Sequence, residues 1–159
     1  APVPDEEDGG SYLCPGYGSL KTYFAAGDLR EMTAFGAAPE NHCASTQTFS
    51  QFNSANATIE WRMKDGKPYA TIQRWTVSIS GENSEKTASW LVVTKLEQQD
   101  SCHMAIVEGA MPGANVKARE LADQLSASFQ CGRDVAKRYA RPETDAGSGD
   151  SLLECAKTQ

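Results

Sequence analysis

What this chain lacks narrows its function before anything it contains does. None of its 159 residues fall in an apolar run approaching the roughly 20 residues that a membrane-spanning helix needs. It has no CxxC pair and no zinc-ribbon spacing, so its cysteines do not outline a structural metal site. A GxSxG elbow, a phosphate-binding glycine loop, a dinucleotide fingerprint, an HExxH helix and an EF-hand loop are all missing. Heptads and repeats at periods of 20–50 residues are absent too. Histidine is scarce, with two residues to supply imidazole chemistry, His42 and His103.

Excess charge is likewise missing from the body of the chain. The net charge is −6, but acidic residues concentrate in residues 1–10 (Asp5, Glu6, Glu7, Asp8) and in residues 142–159. Residues 11–141 are close to neutral. A nucleic-acid surface requires a basic face. The one candidate is Arg133, Lys137, Arg138 and Arg141, which with Asp134 among them reads as a solvated helix face. No nucleic-acid partner and no cofactor are expected.

A β-hairpin dominates what is present. Residues 58–80 alternate in polarity on either side of Asp65-Gly66, a pair suited to the two positive φ angles of a type I′ turn. Pairing Lys64 with Lys67 sets Met63 against Pro68, Trp61 against Ala70 and Ile59 against Ile72, an apolar face throughout. Trp75, Val77 and Ile79 have the opposite parity, which calls for a bulge near Gln73–Arg74 or a second covered face. Residues 87–96, with Trp90-Leu91-Val92-Val93 unbroken, read as a central strand, and residues 102–108 as the next. Short polar turns, at residues 81–86 and 97–101, join these strands in meander order.

Around this sheet the remaining elements are lighter. Residues 20–25 suggest a short strand, and residues 46–52 an edge strand. Asp28 with Glu31 resembles a capping box before Leu29, Met32 and Phe35, so a short helix is expected over residues 29–36. After Met111-Pro112-Gly113, Asn115 caps a long helix. Its apolar stripe is Val116, Ala118, Leu121, Ala122, Leu125 and Phe129, and Gly132 ends it. The expected fold is α+β: an antiparallel meander sheet of four to five strands, with one long helix packed on one face, stapled by disulfides. Residues 1–11 are expected to be a disordered acidic N-terminus, 12–141 a single domain and 142–159 a flexible tail.

Five cysteines allow fifteen two-bridge arrangements with one left over. Cys14 and Cys43 are 29 residues apart, as are Cys102 and Cys131. Laying the helix on the sheet brings Cys131 to the strand carrying Cys102, so the expected bridges are Cys14–Cys43 and Cys102–Cys131. Cys155 is left free on the tail, where it offers an intermolecular disulfide. Disulfides imply an oxidising compartment, periplasmic or secreted. The opening APVPDEEDGG reads as a terminus left after removal of a signal peptide.

Two functional readings follow. If Cys102 and Met104 face the helix, His103 faces the other way with Ala105 and Val107. There it could share a groove with Glu60, Arg62, Tyr69 and Trp75, a platform for a protein or small-molecule ligand. The alternative is a periplasmic metal-handling protein using His42, His103 and Met104, donors suited to copper(I). Glu60 with Glu108 would be the only carboxylate pair for glycoside chemistry. The leading expectation is a non-enzymatic binding module, with no catalytic residues and no resident metal.

Several segments taken together resemble a group of small exported bacterial proteins. They are Cys14-Pro15-Gly16, the hairpin's IEWR and KPYATIQRW, Leu91-Val92-Val93-Thr94, Ser101-Cys102-His103 and Phe129-Gln130-Cys131-Gly132. The resemblance implies export and the Cys102–Cys131 bridge, and it transfers no functional residue.

Overall fold

The computed structural model describes residues 2–6, 9–79, 86–144 and 149–155, of which 2–6 and 9 are described by backbone alone. The hairpin forms as its turn chemistry requires. Asp65 and Gly66 have φ of 53° and 77°, joining β5 (Asn53–Lys64) to β6 (Lys67–Ser78). Lys64 pairs with Lys67 and Met63 with Pro68, as expected, but then the register slips. Ala70 faces Arg62, Thr71 faces Trp61 and Gln73 faces Ile59, so Tyr69 is the extra residue of a bulge. A further irregularity lies opposite Arg74, where Asn56, Ala57 and Thr58 of β5 fall between the pairs Ala55–Trp75 and Ile59–Gln73. The bulge expected near Gln73–Arg74 is thus on the partner strand, and Tyr69 adds one the sequence did not suggest. Thr71, Gln73, Trp75 and Val77 consequently share one face of the sheet, and Ala70 and Ile72 lie on the other.

β7 (Thr87–Leu96) and β8 (Ser101–Glu108) complete the expected meander, and every residue of β8 is buried. A fifth strand, β9 (Lys137–Tyr139), adds in parallel beyond β8, giving the order β5-β6-β7-β8-β9. The basic residues read as a helix face thus flank and occupy a strand: Arg133 in the turn before it, Lys137 and Arg138 on it and Arg141 after it. A second bulge re-aims β8. Val93 pairs with Ala105 and Thr94 with His103, which leaves Met104 unpaired. Ala105 and Val107 therefore lie on the side opposite to His103, correcting the simple alternation read from the sequence.

The helix α1 (Ala114–Leu125) is shorter than its pattern suggests. Gly113, at φ 70°, occupies the cap position rather than Asn115, and Gly132 belongs to a later turn. Ala114, Ala118, Leu121 and Ala122 are buried in one cluster with Ala70, Ile72, Leu91, Val93, Ala105 and Val107. Val116 points away and is 58% exposed.

The opposite face of the five-stranded sheet is covered too, the second of the two explanations that the parity of Trp75, Val77 and Ile79 allowed. β1 (Pro2–Glu6), β2 (Gly9–Pro15), β3 (Lys21–Gly27) and β4 (Arg30–Gly36) form a second antiparallel sheet in chain order. The terminus expected to be disordered thus contributes paired strands. The helix expected at 29–36 is β4. Asp28 and Leu29, at φ 53° and 61°, make a left-handed two-residue turn that no helix could start from. Thr33 Oγ1 donates to Gln73 Oε1 at 2.8 Å and the Phe35 N–H to Ser101 Oγ at 3.2 Å, joining the sheets. Phe35 meets Trp61 edge-on at 5.6 Å.

Residues 46–52 are not an edge strand. A single 3-10 turn, Cys43–Thr46, leads into a loop that buries Gln47 and Phe49 between the layers. Gln47 Oε1 accepts the His103 N–H at 2.9 Å, and Gln47 Nε2 donates to the Leu152 carbonyl at 3.0 Å. Leu152 lies in the 3-10 turn Asp150–Leu153, fully buried against Phe49, Trp75, Trp90 and Ile106. Burying such a side chain stabilises by about 2 kcal/mol. Within the segment expected to be a flexible tail, residues 149–155 thus lie against the molecule and insert Leu152 into the core.

Disulfides explain why. Cys102–Cys131 forms as expected, but Cys43 bonds Cys155, and Cys14 is the free, exposed cysteine. The Cys14–Cys43 assignment and the intermolecular tether through Cys155 are both corrected. Equal spacing in sequence carried no information about distance, because Cys14 lies on β2 opposite Thr22. The polar turn expected at residues 81–86 lies, through residue 85, outside the described residues. No described helix is long and apolar enough to cross a membrane.

Candidate functional site

β8 ends in an ionisable residue that is almost fully enclosed. Glu108 is 3% exposed, and a carboxylate so placed needs compensating donors. They come from the chain leaving β9. The Arg141 N–H and Nε donate to Glu108 Oε1 at 2.9 and 3.1 Å, and Nη2 donates to Oε2 at 2.8 Å. Thr144 Oγ1 lies 2.8 Å from both carboxylate oxygens. Chiefly through the Arg141 guanidinium, and then its backbone N–H and Thr144, the Glu108 carboxyl is held down to about 2.

This anchoring fixes residues 141–144 as a wall across from the ends of β6 and β7. Between them is a cleft of about 520 Å³, floored by Val77, Ala88 and Trp90 and bounded by Glu108 and Arg141. That volume falls in the ligand-pocket class of roughly 300–1,000 Å³. The floor is stiff. Arg138 stacks over the Trp90 ring at 5.2 Å, and Arg74 Nη1 donates to Ser89 Oγ at 2.9 Å. The Gly109 N–H donates to the Ser89 carbonyl at 2.8 Å, and a Cβ at Gly109 would collide with Ser89 Oγ and Arg74 Nη1. Ile79, 51% exposed, supplies an apolar lip. A second cleft of about 410 Å³ opens between the sheets, lined by Cys14, Phe24, Glu31, Ile59 and Gln73.

The residues expected to form one ligand platform are divided by the sheet. Glu60, Arg62 and Tyr69 lie on the helix side. Arg119 Nε and Nη2 donate to Glu60 at 2.9 and 3.1 Å, Arg62 Nη1 donates to it at 3.3 Å, and Tyr69 donates to Asp123. The Arg119 hydrogen bond is the main reason the Glu60 carboxyl sits below its ordinary value. Burial, with the Asp123 hydrogen bond, pushes the Tyr69 phenol up. His103 and Trp75 lie on the opposite face, their rings edge-on at 6.2 Å, and neither reaches solvent. His103 Nδ1 is 2.7 Å from Thr94 Oγ1, and burial lowers the imidazole to about 3. The groove read from alternation is therefore not assembled.

The other donor sets are also dispersed. Met104 belongs to the helix-side core, while His103 projects from the other face of the same strand. His42 Nδ1 is 2.9 Å from Ser101 Oγ. Among the described residues, the group spaced to hold a cation is Glu97, Asp100 and Cys131, and the Cys131 sulfur is already in a disulfide. Glu60 and Glu108 stand on opposite faces, so they are not a carboxylate pair.

Sequence reasoning missed the Glu108–Arg141 wall. The one available signal was an acid closing an otherwise apolar strand, AIVE, which demands a basic partner once the strand is buried. With carboxyl and imidazole held at about 2 and about 3, Glu108 and His103 are weak bases near neutral pH. No protein-family model, curated protein or solved structure matches this chain.

Proposed function

We propose that the protein is a non-enzymatic, exported binding module whose ligand occupies the cleft between the β6–β7 ends and residues 141–144. The observation that carries this reading is the anchored wall: Glu108 takes donors from Arg141 and Thr144, and so holds polar groups facing an apolar floor at ligand-sized separation. Export is supported by the two intramolecular disulfides, which persist in an oxidising compartment. The concave, mostly apolar shape favours a small amphipathic molecule over a flat protein surface. A metal-handling role would need His42, His103 and Met104 to converge, and nothing in their placement favours it.

The test is a ligand-observed NMR screen of a small-fragment set against the full chain and against Ala110→Trp. Ala110 is exposed and lines the cleft, so an indole there fills the space without touching the core. Binding fragments should lose their saturation-transfer signal with the filled variant. Hits that bind both proteins equally would place the ligand elsewhere.

A further inference from the structure

Residues 149–155 cross the molecule as a strap rather than trailing from it. Leu152 enters an apolar slot made by Phe49, Trp75, Trp90 and Ile106, and Gly149, at φ 88°, passes so close that a Cβ there would displace Ile106 Cδ1 and crowd Phe49. Ser151 Oγ donates to the Thr48 carbonyl at 2.7 Å, and Gln47 holds the Leu152 carbonyl. Leu153 packs at the edge of the same cluster, and among the described residues the strap's covalent tie is Cys155 to Cys43. One buried leucine, one half-buried leucine and two side-chain hydrogen bonds are a small return for ordering seven residues, each of which loses backbone freedom. The other disulfide differs. If Cys102–Cys131 opened, Cys131 would still be placed by buried Phe129, by Lys95 donating to the Phe129 carbonyl, and by Asp134 accepting the Gln130 N–H at 2.8 Å.

We propose that Cys43–Cys155 is a redox latch: its reduction releases residues 149–155 and opens the slot that Leu152 fills. Cys43 is 1% exposed whereas Cys155 is partly exposed, so an incoming thiolate attacks the Cys155 sulfur. Cys43 leaves as a thiolate and takes up a proton. The second thiol of a dithiol reductant then displaces Cys155. Two electrons and two protons pass from the dithiol, which ends as a disulfide, to the pair of cysteines. The latch stands independently of the ligand cleft.

Hydrogen–deuterium exchange read by mass spectrometry tests it on the full chain, oxidised, reduced with dithiothreitol, and as Cys155→Ser. Alkylation with peptide mapping reports which cysteines are open. The expected result is labelling of Cys43 and Cys155 with exchange about tenfold faster or more across residues 149–155 and 47–49, while β6, β7 and β8 keep their protection. Reoxidation restores the slow exchange. A strap that stays protected with Cys43 and Cys155 labelled would overturn the latch. Loss of protection throughout β6, β7 and β8 together with the strap would overturn it equally, since the bond would then be a global staple. Protection that survives because the dithiol never opens the bond overturns it as a switch as well.

Discussion

Glu108 concentrates more of the cleft's physics than any other side chain. Its folded carboxyl sits at about 2 against an ordinary value of 4.5, so the unfolded chain binds the proton more readily. Folding stability from this group is therefore complete above about 4.5 and is lost as pH falls toward about 2. Glu108→Gln keeps the shape but removes the charge from four donors, and should cost about 2 kcal/mol at neutral pH, the scale of hydrogen bonds to charged groups. Denaturant titrations of both proteins from pH 7 downward should show the gap narrowing below about 4.5 and nearly closed at about 2. A gap constant with pH would mean that the wall is held by something else. Buried His103 adds a neutral imidazole to the core and no second charge.

At the scale of elements, the left-handed turn at Asp28-Leu29 is a place where local chemistry and fold disagree. Leu29 is 62% exposed at φ 61°, a conformation costing an ordinary residue about 1 kcal/mol. Leu29→Gly should raise stability by about that amount in a thermal melt, since only the Leu29 carbonyl, which accepts the Asn53 N–H, is used. The helix supplies the contrasting case. Leu121→Ala should cost about 2–5 kcal/mol and Val116→Lys less than about 0.5, measured by chemical denaturation. Equal costs would contradict the burial assigned to α1.

These same elements mark what could be read from residues alone. Asp65-Gly66, the strand through Trp90–Val93 and the core stripe of Ala118, Leu121 and Ala122 were legible, because turn chemistry and periodicity agree there. Register failed at Tyr69 and Met104, where single extra residues invert every side chain beyond them. A change of parity signals that a strand is irregular, as it did near Gln73–Arg74, but pattern alone does not say which residue is the extra one. Met32 and Phe35 mimic helical spacing although the backbone at Asp28-Leu29 forbids a helix, so a short amphipathic run was misread.

For the whole molecule, the consequential difference is that both faces of the five-stranded sheet are covered: one by α1, the other by β4, the loop through Phe49 and the strap at Leu152. Trp75, His103, Thr71 and Gln73 are interior for that reason, and the predicted ligand groove does not exist. Depth on that face also creates the Glu108 cleft, since a strand buried end to end brings its terminal acid inside with it. Neither the second sheet nor the path of the C-terminal segment follows from local pattern. Both depend on pairings between residues far apart in sequence, among them Cys43 with Cys155. The most direct measurement is a ¹H–¹⁵N correlation spectrum of the full chain titrated with fragments found to bind it. The account predicts amide shifts confined to Val77, Ile79, Ala88, Ser89, Trp90, Ala110 and Arg141. Shifts centred instead on the inter-sheet cleft beside Cys14, or scattered over the surface, would contradict it.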